Sequence, residues 1–165
     1  MPATYEPIAT TTLGSAAADI TFSSIGSGYT DLRLVVNLIA GGASTGRIEF
    51  NADTATNYSN TVLYGNGTTA ASTRETSITS IRVTGSQNYS TTIPTLVTAD
   101  IFSYAGSTNK TVLVTLSGDY NGSGQTSRIV GLWRNTAAIT SVKFFLFGNN
   151  LAAGTTATLY GILKA

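Results

Sequence analysis

Residues 29–40 read YTDLRLVVNLIA, and this stretch shows the pattern that decides the fold. Leu32, Leu34 and Val36 alternate with Arg33 and Val35, so every second position from 32 to 36 is apolar. A period of two is typical of a β-strand that turns one face to a hydrophobic core. The sequence therefore predicts a half-buried strand here, and the same pattern recurs along the chain.

Nine further runs suggest strands and lie between segments rich in glycine and asparagine. They are 8–13, 20–25, 47–51, 76–84, 95–104, 111–116, 128–133, 141–147 and 156–163. In the run 76–84 the alternation slips between Ile78 and Ile81, which predicts a β-bulge. No segment longer than ten residues shows capped helical periodicity. Residues 16–18, with Ser15 as a cap, are expected to form at most one helical turn.

About ten strands without intervening helices predict an all-β protein built as an antiparallel sandwich. A jelly roll is the favoured topology, and an immunoglobulin-like sandwich is the alternative. The 165 residues show no linker, so we expect one domain over 1–165. Residues 1–7 contain two of the three prolines and are expected to form an extended arm. The polar stretch 54–72 is expected to be a large surface loop.

The composition favours a protein that packs against other proteins. Nine Lys/Arg and eight Asp/Glu make up only 10% of the chain, and the net charge is +1. This balance predicts no binding to nucleic acid or to an anionic membrane. Serine and threonine supply 46 residues, and a neutral hydroxyl surface is less costly to remove from water than a charged one. The sequence also shows no signal-peptide pattern and no apolar run of membrane-spanning length.

The absence of cysteine and histidine excludes several kinds of site. The chain can form neither a disulfide nor a thiolate metal site, and it lacks the commonest general base. Gly42-Ala43-Ser44-Thr45-Gly46 matches a nucleophile elbow, but it joins two predicted strands, whereas an elbow needs a strand and then a helix. Ser107 and Lys110 match Ser-x-x-Lys in a predicted turn. The carboxylates Glu49 and Asp53 are close in sequence, and we interpret them as turn or cap residues.

Two further patterns are interpreted as structural. Residues 119–124 (DYNGSG) match the opening of a cation-binding loop, but Val130 stands where that loop needs a glutamate. A hairpin turn is the preferred interpretation. Glycosylation sequons at Asn57, Asn66, Asn88, Asn109 and Asn121 are expected by chance in so hydroxyl-rich a chain. The sequence thus predicts no catalytic, cofactor-binding or metal-binding residue.

The aromatic residues are the remaining candidates for recognition. Tyr58, Tyr64, Tyr89 and Tyr120 fall in loop-like segments. There they would either stack on sugars, anchor a protein interface, or simply cover the ends of the sandwich. Trp133 lies in an alternating run and is expected in the core.

Several segments resemble a family of small structural proteins of tailed-bacteriophage virions. They are 5–13 (YEPIATTTL), 20–25 (ITFSSI), 29–35 (YTDLRLV), 57–59 (NYS), 63–67 (LYGNG), 131–134 (GLWR) and 158–162 (TLYGI). The resemblance covers most of the chain, and its motifs are structural rather than catalytic. It implies a particle-associated β protein located in the virion and assembled in the host cytoplasm.

The favoured hypothesis is a capsid decoration (cement) protein that binds the outer surface of the head. Its expected partners are the major capsid protein and other copies of itself as a homotrimer. The alternative is a tail or fibre component that binds a host receptor or glycan. An enzyme such as a glycan depolymerase, acting through Glu49 or Asp53, is the third and least favoured hypothesis.

Overall fold

The computed structural model describes residues 4–85 and 89–163, which form twelve β-strands. The strands are β1 (Tyr5–Thr12), β2 (Asp19–Phe22), β3 (Asp31–Leu38), β4 (Thr45–Phe50), β5 (Tyr58–Gly65), β6 (Ala70–Ile78), β7 (Ile81–Arg82), β8 (Thr95–Ile101), β9 (Lys110–Asp119), β10 (Gly124–Trp133), β11 (Val142–Phe147) and β12 (Thr156–Ile162). All named strand pairs are antiparallel, and the strands form one eight-stranded and one four-stranded sheet. The sheets pack on a shared core, which confirms the predicted antiparallel β-sandwich.

The strand order is that of a jelly roll with two added hairpins. The large sheet contains the neighbours β1-β12-β3-β8, and the small sheet has the order β2-β11-β4-β7. Along the chain these eight strands alternate between the sheets, except that β4 and β7 both belong to the small sheet. This double-sheet winding of eight strands is the jelly roll that the sequence favoured over the immunoglobulin-like alternative.

The two added hairpins widen the large sheet on one side. Hairpin β5–β6 is inserted between β4 and β7, and hairpin β9–β10 is inserted between β8 and β11. The hairpins also pair with each other, from Trp133 opposite Tyr58 to Thr126 opposite Gly65. The large sheet therefore continues beyond β8 as β9-β10-β5-β6 and becomes twice as wide as the small sheet.

An aromatic cluster lies where the extension meets the small sheet. The rings of Phe50 and Trp133 have centroids 5.6 Å apart, and those of Tyr58 and Trp133 stack at 6.2 Å. All three side chains are fully buried, so the prediction of Trp133 in the core is confirmed. The Tyr58 hydroxyl donates to the Phe50 carbonyl and accepts from the Phe50 N–H. The cluster thereby joins β4, β5 and β10.

The structure differs from the sequence predictions at several places. Most of the expected surface loop 54–72 is the strand β5 and the start of β6. The extra residue of the bulge is Ser77, with φ of 54°, where the register of β5 and β6 shifts; the chain then crosses to the other sheet before Ile81. Residues 16–18 form no helical turn, and Ala17 instead makes a β-bridge to Leu151.

The segment expected to form an extended N-terminal arm is partly a strand of the large sheet. Within residues 1–7, Tyr5, Glu6 and Pro7 belong to β1 and pair with β12, from Ile162 to Tyr160. Residues 1–3 lie outside the described part of the chain. The part of this segment that the structure describes is thus an edge of the large sheet.

Candidate interaction surfaces

The outer face of the large sheet is broad and rich in hydroxyl groups. Every second residue of its strands points away from the core. Its outward hydroxyl residues include Thr10, Thr12, Ser59, Thr61, Ser72, Thr98, Thr111, Thr115, Ser117, Thr126, Thr156 and Thr158. Some of these hydroxyls bond across strands, such as Thr10 to Thr158 at 3.0 Å. The surface is therefore ordered and mostly uncharged.

Aliphatic side chains lie exposed within this hydroxyl surface. Leu63, Val130 and Leu96 are 60%, 51% and 45% exposed. Val130 lies directly opposite the half-buried Leu113, and Leu63 is on the next strand, diagonally opposite Val130. Exposed aliphatic groups that neighbour one another are typical of a protein-binding surface. Leu96 lies apart from them, opposite Asn37 on β3 and Ser117 on β9. We call Leu63, Leu113 and Val130 the aliphatic patch.

The charges on the same face are held by their neighbours. Arg33 and Asp100 are cross-strand partners and form two hydrogen bonds, of 2.5 and 2.9 Å. Arg128 donates to the Thr115 hydroxyl at 3.0 Å, and Arg74 donates to the Thr61 hydroxyl at 3.1 Å. Asp31 and Asp119 lie on the same face at the ends of β3 and β9, so the three arginines and three aspartates of the face balance.

The two sheets offer outer faces of different size. Strands about 4.8 Å apart and about eight residues long give the eight-stranded sheet a face of roughly 1,000 Å². The strands of the four-stranded sheet have only two to six residues, and the same estimate gives it roughly 300 Å². A specific protein–protein interface needs about 800 Å² on each partner. The large sheet alone provides that area.

The outer face of the small sheet is aromatic and charged. Phe145 and Phe147 of β11 point outward, and Phe147 is 67% exposed. The Arg47 guanidinium lies 5.7 Å from the Phe147 ring centroid, and the Lys143 ammonium lies 5.0 Å from that of Phe145. A depression of about 380 Å³ beside them is bordered by Asp19 and the residues that follow Phe147.

Ion pairs surround these aromatic residues. Lys143 pairs with Glu49 at 2.9 Å, while Arg47 and Arg82 are directly opposite each other on β4 and β7. Glu75 of β6 approaches both arginines, at 3.9 Å from Arg47 and 3.8 Å from Arg82. Burial lowers the pKa of the Arg47 guanidinium, Glu75 raises it, and Arg82 lowers it. We call Glu75, Arg47 and Arg82 the arginine cluster.

A groove lies between the tips of the two added hairpins. It measures about 620 Å³ and is lined by residues 65–67 and 117–119 and 122–126. Glycine, hydroxyl and amide groups make up most of its wall, with the carboxylate of Asp119 at one end. The lining can offer several hydrogen bonds to a hydroxyl-rich ligand.

The predicted turn at 119–124 connects β9 to β10, and the interpretation as a hairpin is confirmed. The Asp119 carboxylate accepts the Asn121 N–H at 2.9 Å within that turn. Across residues 4–85 and 89–163, no cluster of three or more acidic side chains could hold a metal ion. The sequon residues Asn57, Asn66, Asn109 and Asn121 lie at separate places in the described structure, and Asn88 lies outside it.

The candidate nucleophiles are engaged in backbone contacts. Ser44 is buried and donates to the Phe147 carbonyl at 2.8 Å, and a strand, not a helix, follows it. Lys110 is fully buried, and its ammonium donates to the carbonyls of Gly106, Thr108 and Thr136. Burial lowers the pKa of Lys110. Both side chains hold loops against strands.

The candidate carboxylates have separate structural partners. Glu49 is buried and paired with Lys143. Asp53 accepts hydrogen bonds from Asn57 at 3.0 Å and from the Trp133 indole at 2.7 Å. The bond from Asn57, helped by the bond from Trp133, lowers the pKa of the Asp53 carboxyl below its usual range.

The four candidate tyrosines pack against the protein to different degrees. Tyr58 and Tyr89 are buried, and burial raises the pKa of both hydroxyls. Tyr64 and Tyr120 are half-buried; their rings fill the space in which Gly85 and Gly118 would otherwise carry a side chain. Tyr120 also bonds to the Thr95 hydroxyl at 2.7 Å. Tyr64 and Tyr120 thus cover the sandwich, whereas Tyr58 and Tyr89 lie inside its core. Tyr58 and Tyr64 also belong to strand β5, not to a loop as the sequence predicted.

Sequence reasoning missed the outward residues Phe145, Phe147, Leu96 and Val130. The segment 144–147 (FFLF) is apolar on both faces of its strand, whereas a sandwich strand needs only one apolar face. Val130 breaks the alternation of β10 in the same way. A strand with two apolar faces was therefore the available signal for a second contact surface.

No family model matches the chain, and no curated protein matches its sequence. Within the residues that the structure describes, no helix is long and apolar enough to cross a membrane. Function is therefore inferred from the chemistry of the surfaces themselves.

Proposed function

We propose that the chain is a structural protein of a bacteriophage particle, which decorates the capsid and binds the major capsid protein. The observation that carries the proposal is the outer face of the large sheet, with its exposed Leu63, Leu96 and Val130. Its area matches one side of a standard protein interface. The proposal assigns no reaction and no cofactor to the chain.

The chemistry of this face supports attachment to another protein surface. Removing a hydroxyl from water costs far less than removing a charge, and aliphatic groups gain from burial. Arg33 and Asp100 already neutralise each other, so they can enter an interface as a pair. A rigid sheet also loses little conformational freedom on binding, which favours affinity. The sequence resemblance to virion structural proteins points to the same role.

The test is the amount of this chain in purified phage particles, measured by quantitative mass spectrometry against the major capsid protein. A simple whole-number ratio to the capsid protein is expected for a head decoration protein. A copy number far below that of the capsid protein would place it on the tail. Its absence from the particle would overturn the proposal.

A second function, glycan recognition by a tail or fibre protein, is favoured by the groove between the hairpin tips. Its hydroxyl, amide and backbone groups, together with Asp119, suit the hydroxyl groups of a sugar. Glycan-array binding by the purified chain, lost in Asp119→Asn, would support this function. If the purified chain binds no glycan on an array of host surface sugars, glycan recognition is ruled out as its function.

A further inference from the structure

Strand β6 is an unusually open edge of the large sheet. Ala70–Ile78 pairs on one side with β5, and its remaining side faces solvent in the described structure. Exposed and half-buried residues alternate along it, and none of its side chains is fully buried. A long edge strand can add a strand from another chain.

The turn before β6 shows which of its backbone groups face outward. The Asn66 N–H bonds to the Thr69 carbonyl at 3.1 Å, so these two residues form a hydrogen-bonded pair. Hydrogen-bonded and non-hydrogen-bonded pairs alternate along an antiparallel ladder. The N–H and C=O groups of Ala71, Thr73 and Glu75 therefore face β5. Those of Ala70, Ser72, Arg74 and Thr76 face away from it.

The other three edges formed by the described residues carry features that discourage pairing. Edge β1 contains Pro7 and a register shift between Pro7 and Ala9. Edges β2 and β7 have only four and two residues. In β6 the bulge at Ser77 lies at the end, and the stretch 70–76 is regular. The charged side chain of Glu75 on the core side of β6 forms ion pairs with Arg47 and Arg82 of the same chain.

We propose that the β6 strands of two copies pair antiparallel about a two-fold axis at Thr73. Facing side chains must share a sheet face, so residue numbers in a facing pair sum to an even number. Pairing that places Thr73 opposite Thr73 overlaps all of 70–76 and sets Arg74 opposite Ser72. The next register towards the C-terminus would set Arg74 against Arg74, a like-charge contact.

This register joins the two large sheets into one continuous sheet of sixteen strands, twice the eight of one chain. The backbone groups of Ala70, Ser72, Arg74 and Thr76 face away from β5 in each copy. Between the two copies these residues form four facing pairs, with about eight backbone hydrogen bonds. It specifies a two-fold dimer where the sequence led us to expect a homotrimer. It also goes beyond attachment to a capsid, since the dimer forms without any other partner.

The mass of the full chain in solution, measured by light scattering during gel filtration, gives the first test. A dimer of the 17.1 kDa chain is expected. Ser72→Lys places a lysine opposite each Arg74 and should weaken the dimer about tenfold, whereas Ser72→Glu should tighten it. A monomer at all concentrations, a trimer, or equal dimer affinity of the two variants would overturn the pairing.

A single cysteine tests the register directly, because the chain contains none of its own. Facing residues of a non-hydrogen-bonded pair have Cα atoms about 4.5 Å apart, within reach of a disulfide. Thr73→Cys should therefore form a covalent dimer under mild oxidation. Thr126→Cys, exposed on β10 away from the edge, is the control and should not.

If Thr73→Cys crosslinks no more than Thr126→Cys, the register is wrong. The variant Leu96→Glu/Val130→Glu separates this proposal from the proposed function. Both substitutions lie away from β6, so this variant should remain a dimer even where capsid attachment is lost.

Discussion

The two outer faces of the sandwich differ in how their charges and apolar groups are combined. On the large sheet, aliphatic side chains stand among neutral hydroxyls, and Arg33 and Asp100 neutralise each other. On the small sheet, aromatic rings lie beneath Arg47 and Lys143, in contact with a network of ion pairs. The first face can lose its water at small cost, whereas the second must desolvate charges.

This difference teaches that exposure of a hydrophobic residue does not by itself mark an interface. Phe147 is the most exposed large apolar residue of the described chain, yet the face that it occupies is small and charged. Leu96 and Val130 are less exposed but lie on a face of sufficient area. We therefore expect stable attachment through the large sheet, with the small sheet contributing less.

The largest effect is expected from Leu96→Glu/Val130→Glu on the large sheet. Two carboxylates replacing exposed aliphatic groups would have to be desolvated in the interface, so affinity for capsids should fall about 100-fold or more. Occupancy on capsids lacking the protein, measured in a titration, gives the result. Both positions are exposed, so the free energy of unfolding should change little. Full occupancy by this variant would show that the chain does not attach to capsids through the outer face of the large sheet.

The second-largest effect is expected from Glu75→Gln in the arginine cluster, and it is a loss of stability. Arg47 and Arg82 are opposite each other, and removing the carboxylate between them leaves two partly buried like charges. The free energy of unfolding should fall by about 1–2 kcal/mol, less than for a fully buried pair because the charges are separated by nearly 4 Å. Urea denaturation measures it. Added salt should reduce the loss, and a loss that is independent of salt would contradict this cause.

A smaller effect is expected from the matched change Asp100→Asn on the large sheet. It breaks the pair with Arg33, whose side chain is 37% exposed and can be solvated by water. The free energy of unfolding should fall by about 1 kcal/mol at most. The same urea experiment compares the two variants. A larger loss than in Glu75→Gln would reverse the ranking of the two charge networks.

The smallest effect is expected from Phe147→Ser on the small sheet. The ring is mostly exposed, so stability should change by no more than about 0.5 kcal/mol. Capsid occupancy should also stay close to that of the unchanged chain. Occupancy that drops as far as in Leu96→Glu/Val130→Glu would make the small-sheet face an equal partner in attachment.

The sequence predicted most strands because one buried face imposes a period of two. It missed β5, in which Val62 is the main aliphatic residue on the core side and the other core positions are polar or aromatic. Tyr58 enters that core because its hydroxyl bonds the backbone of Phe50, a partner eight residues earlier in the chain. Such a partner becomes visible only when the strands are placed. The pairing of β5 with β10 was hidden for the same reason.

The candidate surfaces were predictable only in their general chemistry. The count of hydroxyl residues indicated a neutral, easily desolvated exterior, and the large sheet shows one. Where Leu96 lies relative to Val130 depends on β9 standing between β8 and β10, which local sequence does not encode. The segment 144–147 did carry a signal of a second contact surface. A strand with one side exposed to solvent needs only one apolar face, and this segment has two.

The position of β12 between β1 and β3 has a consequence for the timing of folding. In the described sheet β1 is paired through β12, about 144 residues further along the chain. At a synthesis rate of about 5–20 residues per second, β1 waits roughly 7–30 s for its partner to be made. During that interval it is an unpaired strand beside other nascent chains, where Pro7 limits the hydrogen bonds that a wrong neighbour can form. The proline that blunts this edge in the finished sheet thus also protects the chain while it is being made.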